Sequence, residues 1–236
     1  MLCDTQVGTA SPHEKRKIRA IQEGADTMTA TPSDNKRHNS QSTPSHYTLL
    51  VELPDIKPAI WRRIHVDGRI RLNAMHHILQ ATMGWSDAHL HEFQICEMHY
   101  GIPDPEYPDM QMLDEKKYRL NQLLDVGDTC IYLYDFGDSW QHRLTVESIE
   151  GLDGVNAGAG NAWIENGEGA CPPEDAGGTG SYQAMLDALE NAPYGNEAKE
   201  LREWAGLDFD PGRFDRVVAN AAIARLLWNG WIKIGK

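Results

Sequence analysis

The chain has 236 residues, 41% of them hydrophobic, and a formal net charge of -13, enough apolar material for one large or two small domains. The charge is uneven: residues 1–45 carry six Lys/Arg against five Asp/Glu, leaving 16 basic and 30 acidic residues in 46–236, a balance that disfavours sequence-independent binding to nucleic-acid phosphates unless basic residues cluster or a cation intervenes. Four scattered cysteines (Cys3, Cys96, Cys130, Cys171) without a CxxC pair argue against a disulfide framework or zinc ribbon, and with no membrane-length apolar run or signal-like start the expected compartment is the cytoplasm.

Residues 1–45 end in "TATPSDNKRHNSQSTPS" and hold no sustained apolar period, so they read as a disordered leader. Met28 lies inside it and offers an alternative start of translation. From Tyr47 onward residues 46–236 read as a single domain. "HYTLLVELP" alternates Tyr47, Leu49, Val51 and Leu53 with less apolar neighbours; "DIKP" turns the chain; and "AIWRRIHV" places Ile60, Arg62, Ile64 and Val66 on one face and Trp61, Arg63 and His65 on the other. "RLNAMHHILQATMGW" repeats Leu72, Met75, Leu79 and Met83 at a helical period and stops at Gly84.

"HLHEFQICEMHYG" reads as one strand with His89, His91, Phe93 and Ile95 sharing a face, followed by the proline-rich "PDPEYPD" loop and a short helical "LNQLLDVGD". "TCIYLYDFGDSWQHRLTVESIE" reads as a hairpin with a turn at Asp135–Asp138. A Gly-rich connector, "GLDGVNAGAGN", leads to an irregular loop and a helix that buries Tyr182, Met185, Leu186 and Leu189. A second helix covers about 197–205, and a third opens at "DPG", with Asp210 as N-cap and Pro211 in the first turn. Strands fill the first half and helices the second, an α+β pattern with helices on one face of a mostly antiparallel sheet.

"KPAIWRRI", "MGWSDAHLHEF", "YDFGDSWQH", "GACPPEDAGGTGSY" and "FDPGRFD" occur in one order over about residues 46–220. In these motifs the chain resembles the plasmid pRiA4b Orf-3-like family, also found as passenger proteins of insertion elements. The resemblance implies an α/β roll, a curved sheet packed by helices, and implies little about activity; the association with mobile elements names a neighbourhood rather than a chemistry. Two positions depart from the family's habit: Arg71 stands where a Ser or Thr commonly caps the first helix, and Ala176 where a larger residue or a cysteine is common.

Asp135 and Asp138 can simply accept backbone N–H bonds in the turn while Gly137 supplies a positive φ. Alternatively they join His89 and His91 and the Glu174 and Asp175 of the "CPPED" loop in a cluster suited to Mg, Mn or Zn, with Asp135, Asp138, His89 and His91 as the ligand set. Trp140 and His142 read as core residues, and Cys171 as a structural thiol. His76 and His77, about 100° apart on a helix, are not a ready-made pair. Trp61, Arg62 and Arg63 could stack on bases and hold phosphates, or one arginine could pair with an acid and tether a loop to the sheet. Three functions follow: a module binding a protein or small ligand without catalysis of its own, a divalent-metal-dependent phosphoester hydrolase, or an accessory to DNA transactions.

Overall fold

Alternation of apolar residues along the strands has one structural outcome: a sheet buried on one face and wet on the other. The computed structural model describes residues 45–106, 111–151, 162–206 and 208–232. The leader and most of the Gly-rich connector lie outside them. Eight strands, β1 (Ser45–Leu53), β2 (Ile60–Asp67), β3 (His91–Ile95), β4 (Met98–Gly101), β5 (Met112–Asp114), β6 (Thr129–Tyr134), β7 (Trp140–Gly151) and β8 (Ala162–Glu168), form one sheet in the order β5-β4-β3-β6-β7-β1-β2-β8. Every neighbouring pair is antiparallel except β4 with β5. Five α-helices accompany the sheet among the described residues: α1 (Leu72–Met83), α2 (Leu120–Leu123), α3 (Gly178–Asn191), α4 (Asn196–Ala205) and α5 (Arg216–Trp228). The fold is α+β.

The inner face carries Tyr47, Leu49, Val51, Leu53, Ile64, Val66, Phe93, Tyr132, Trp140 and Leu144, all buried, as are Leu72, Met75, Ile78 and Leu79 of α1. The outer face is laced by ion pairs, Arg143 with Glu52 across the paired β7 and β1, and Arg63 of β2 with Glu147 of β7 over the intervening β1. Helix α5 contacts α1 and β8, and Asn220 both donates to Ile164 O (3.0 Å) and accepts from Ile164 N (2.8 Å). That side chain occupies the hydrogen-bonding groups that an edge strand would otherwise leave open.

Several sequence expectations change in the structure. "HLHEFQICEMHYG" is two strands, not one: Cys96 takes φ 55° and folds β4 back on β3. The short β5 and β8 have no strong alternation and were not expected; pairing with a neighbour, not local pattern, makes them strands. Gly137 is not the residue with positive φ in the hairpin turn; Asp135 and Ser139 are, both at 56°. Helix α5 is capped by Asp215, whose Oδ1 accepts from Val217 and Val218 N (3.1 and 3.0 Å). Asp210 instead closes a turn onto Gly212 N (3.0 Å), and the helix start is deferred past Phe214, which packs its ring under the Arg62 guanidinium at 3.7 Å. Arg71, as expected from its chemistry, gives α1 no side-chain cap; its Nη1 donates to Lys116 O. No helix among the described residues is long and apolar enough to cross a membrane.

Candidate metal centre at the hairpin tip

Three loops meet beyond the ends of β3, β6 and β8. The first, Trp85–Leu90, begins where Gly84 ends α1 in the left-handed conformation (φ 94°). Trp85 anchors it, packed on Tyr134 (5.2 Å between rings) and Trp140 (5.6 Å). Ala88 N donates to Tyr134 Oη (3.1 Å), and Leu90 O accepts from Asp135 N (2.9 Å), so His89 is pinned between two bonds to the end of β6.

The second is the hairpin tip. Asp135 Oδ1 accepts from Gly137 N (2.9 Å) and Asp138 N (3.3 Å), the turn role expected of it. Its other oxygen, Oδ2, faces His89 Nε2 at 3.6 Å. The third is the Cys-Pro-Pro-Glu-Asp loop. Glu174 Oε1 accepts from Ser86 N (2.6 Å), Ser86 Oγ (2.9 Å) and Tyr134 Oη (3.2 Å), and Oε2 lies 3.4 Å from the same Tyr134 Oη and 3.8 Å from His89 Nε2. Burial and the neighbouring Glu174 push the Tyr134 phenol up to about 12, so it keeps the proton that it donates. Asp175, largely exposed, places Oδ1 3.3 Å from the same nitrogen.

Asp135 thus uses one oxygen to hold its turn and turns the other toward His89, and Glu174 brings Oε2, which shares the Tyr134 hydroxyl, near the same ring. Donor atoms sharing a tetrahedral zinc with bonds of about 2.0–2.1 Å sit roughly 3.3 Å apart. His89 Nε2, an Asp135 oxygen and an Asp175 oxygen lie within 4.8 Å of one another, so a small contraction would bring them to that spacing. The backbone adds a second sign. Of five non-glycine residues with positive φ among those described, three are Asp87, Asp135 and Asp175, each with a carboxylate facing an imidazole; left-handed backbone concentrates at sites that need it, and Asp tolerates it well.

Two residues of the expected cluster do other things. Asp138 Oδ2 accepts from Gly177 N (2.9 Å) and clamps the Cys-Pro-Pro-Glu-Asp loop to the hairpin. His91 begins β3 and points inward, its Nε2 2.9 Å from the buried Glu115 and its ring stacked at 3.5 Å on His76. His89 precedes the strand, so the period-two argument that joined it to His91 does not reach it.

His76 and His77, set aside on helical geometry, do share a partner. Asp87 Oδ1 lies 2.9 Å from His76 Nε2 and Oδ2 3.6 Å from His77 Nδ1, because one carboxylate spans the angle between adjacent helical positions. Tyr132 Oη accepts from Gln80 Nε2 (2.9 Å) and lies 2.8 Å from His76 Nδ1. The hydrogen-bond balance has Tyr132 donate to Nδ1 and His76 donate from Nε2 to Asp87, a relay that occupies both nitrogens of His76 and leaves Asp87 Oδ2 facing His77 Nδ1, in a second group close enough to share an ion.

Arg62 supports the third loop from behind. Only 1% exposed, it donates to Trp61 O (2.8 Å), Glu168 O (2.6 Å), Gly169 O (2.7 Å) and Thr82 O (3.4 Å), so it meets carbonyls rather than an acid. Arg63 is the arginine that pairs with an acid, Glu147 of β7, at 2.6 Å, and Trp61 Nε1 donates to Glu168 (3.2 Å). Trp140 and His142 are both core residues, 1% and 0% exposed. Burial pushes the Cys171 thiol well above its ordinary value, the inert setting of a structural cysteine. Ser86 and Tyr134 were missed; a tyrosine closing a strand just before a turn carboxylate was the available signal.

The fold and cluster define a class: an α+β protein whose hairpin tip gathers imidazole and carboxylates from three loops. The chain belongs to the plasmid pRiA4b ORF-3-like protein family, whose model matches residues 45–217 and so spans all three loops. It is 34% identical over 177 residues to the uncharacterized protein y4hQ of Sinorhizobium fredii, covering 74% of this chain and 89% of that one. It is also similar to a crystal structure of a protein of unknown function, MM3350 from Methanosarcina mazei Go1: TM-score 0.67, 32% identity, 75% of this chain and 98% of the other.

Proposed function

We propose that the chain is a binding module whose hairpin tip takes a divalent cation through His89, Asp135 and Asp175, with Glu174 as the adjacent carboxylate. The observation that carries this reading is the division of labour within Asp135, whose Oδ1 accepts from backbone N–H groups while Oδ2 faces His89, with Asp175 Oδ1 and Glu174 Oε2 near the same nitrogen. A mixed oxygen and nitrogen donor set suits zinc or manganese. Binding is favoured over hydrolysis because the nearby imidazoles are committed: His76 to Asp87, His91 to Glu115, His142 to backbone carbonyls, leaving His89 as ligand rather than base. The nucleic-acid reading draws little support, since Arg62 is buried and Trp61 and Arg63 are engaged within the chain. Buried thiols at Cys130 and Cys171 fit a reducing cytoplasm. The bound ion in turn gives the tip a positive centre for a protein or small ligand carrying an anionic group.

Thermal unfolding with Zn²⁺ or Mn²⁺ tests the proposal. At 100 times Kd an ion adds about 2.7 kcal/mol, a rise in Tm of roughly 5–10 °C for a domain of this size. Asp135→Asn and His89→Gln should abolish the rise. An unchanged Tm with both ions, or an equal rise in both variants, defeats the proposal.

A further inference from the structure

The outer face of the sheet holds a second site, across the hairpin tip from the first. A cavity of about 460 Å³ lies over β3, β4 and β5, walled by Met98, Met112, Leu133 and Phe136, a volume in the range of small-molecule pockets. The register explains it. Glu92 pairs with Leu133 on one side and with Gly101 on the other, so the strand position beside Glu92 has no side chain. A Cβ at Gly101 would stand 3.0 Å from Met112 Sδ and 3.1 Å from His91 O; glycine is what lets Met112 lie there.

The lining carries two carboxylates and one imidazole, His99. It includes the buried Glu92 and the exposed Glu97, and neither a lysine nor an arginine among the described residues. Glu92 Oε1 accepts from Gln94 Nε2 (2.6 Å), and Oε2 lies 3.1 Å from Nδ1 of His99, a ring whose side chain is half exposed. A carboxylate in a cavity that two thioethers and an exposed phenylalanine also line complements a cation with an apolar body: the acid supplies the charge, and sulfur and the ring supply polarizable contact. An anion would meet two carboxylates. A neutral apolar ligand would leave Glu92 without new compensation.

We infer that this cavity binds a small organic cation, an amine or ammonium group carried on an aliphatic or aromatic body, with Glu92 as its counter-ion and Phe136 and the two methionines as its walls. Phe136 lies next to Asp135, so the "YDFGD" turn serves both sites, the carboxylate on one side and the ring on the other. This inference stands apart from the cation proposal and does not require it.

Calorimetric titration of the full chain with 4-phenylbutylamine, 4-phenylbutan-1-ol and 4-phenylbutyrate reads it directly. The amine should bind with Kd below about 1 mM, and the alcohol and the acid at least about tenfold more weakly. Glu92→Gln, which keeps the shape and the neighbours, should weaken the amine about tenfold and leave the alcohol unchanged; Phe136→Ala should weaken both. No amine binding at millimolar concentration, equal affinity for amine and alcohol, or full retention of amine affinity in Glu92→Gln would each overturn the inference.

Discussion

Replacing Arg62 with methionine removes the strut behind the Cys-Pro-Pro-Glu-Asp loop while keeping much of the side-chain volume. The guanidinium serves four carbonyl groups at 2.6–3.4 Å and stacks on Phe214 at 3.7 Å. Burial lowers its pKa to about 10, which still leaves it charged at neutral pH. Hydrogen bonds from a charged donor contribute about 1.5–3 kcal/mol each, but they do not add, and water entering the vacated space would satisfy some carbonyls. The net loss should therefore be about 3–5 kcal/mol, less than the sum of the four bonds and more than one unsatisfied carbonyl. With a denaturant slope of about 2 kcal/mol per molar urea, the midpoint falls by roughly 2 M. Arg62→Lys should recover less than half of it, because an ammonium is a point donor and cannot span carbonyls on two strands and a helix end. Urea unfolding followed by fluorescence of the buried Trp85 and Trp140 measures the shift. A change below about 1 kcal/mol in Arg62→Met would refute the reasoning.

Acid should destabilise the fold before the carboxylates titrate. Burial lowers His142 to about 4, and burial with the neighbouring rings of His91 and His77 holds His76 well below its ordinary value. As pH falls below about 6.5 the unfolded chain takes up protons that the folded one refuses, so stability drops by about 1.4 kcal/mol per pH unit for each group. Urea midpoints between pH 7 and pH 5 should show this slope, reduced in His142→Asn; a flat profile contradicts it. Gly178 has φ 79°, and a Cβ there would stand 2.6 Å from Asp138 O. Gly178→Ala should cost about 1–3 kcal/mol by thermal melt. Gly180, with open space around it in α3, should gain roughly 0.5–1 kcal/mol on conversion to alanine. Equal effects at the two positions would show that backbone conformation and contact are not what separates them.

The long elements were legible in the sequence because burial on one face imposes a period. Tyr47, Leu49, Val51 and Leu53 declare β1, and Leu72, Met75 and Leu79 declare α1, whatever surrounds them. β5 and β8 were not legible, since their pairing partners create them. The site was half legible. Asp135, Glu174 and Asp175 stand out as ligand types on loops, and the structure brings them together with His89, which the sequence pattern puts in a strand. His91 was joined to them by a periodicity that the strand boundary cuts short, and Asp138 acts on the backbone of Gly177, a long-range contact with no local pattern. The pair His76 and His77 failed a helix-face test because adjacent helical positions diverge by about 100°, an angle that the two oxygens of Asp87 span.

The central claim, that the hairpin tip and the Cys-Pro-Pro-Glu-Asp loop form a cation site, is tested most directly by diffraction at the zinc absorption edge from crystals grown with Zn²⁺. The account predicts one anomalous peak about 2.0–2.2 Å from His89 Nε2 and from oxygens of Asp135 and Asp175, absent in crystals of Asp135→Asn. A peak elsewhere with none at His89, or a peak at His89 that persists unchanged in that variant, would contradict it.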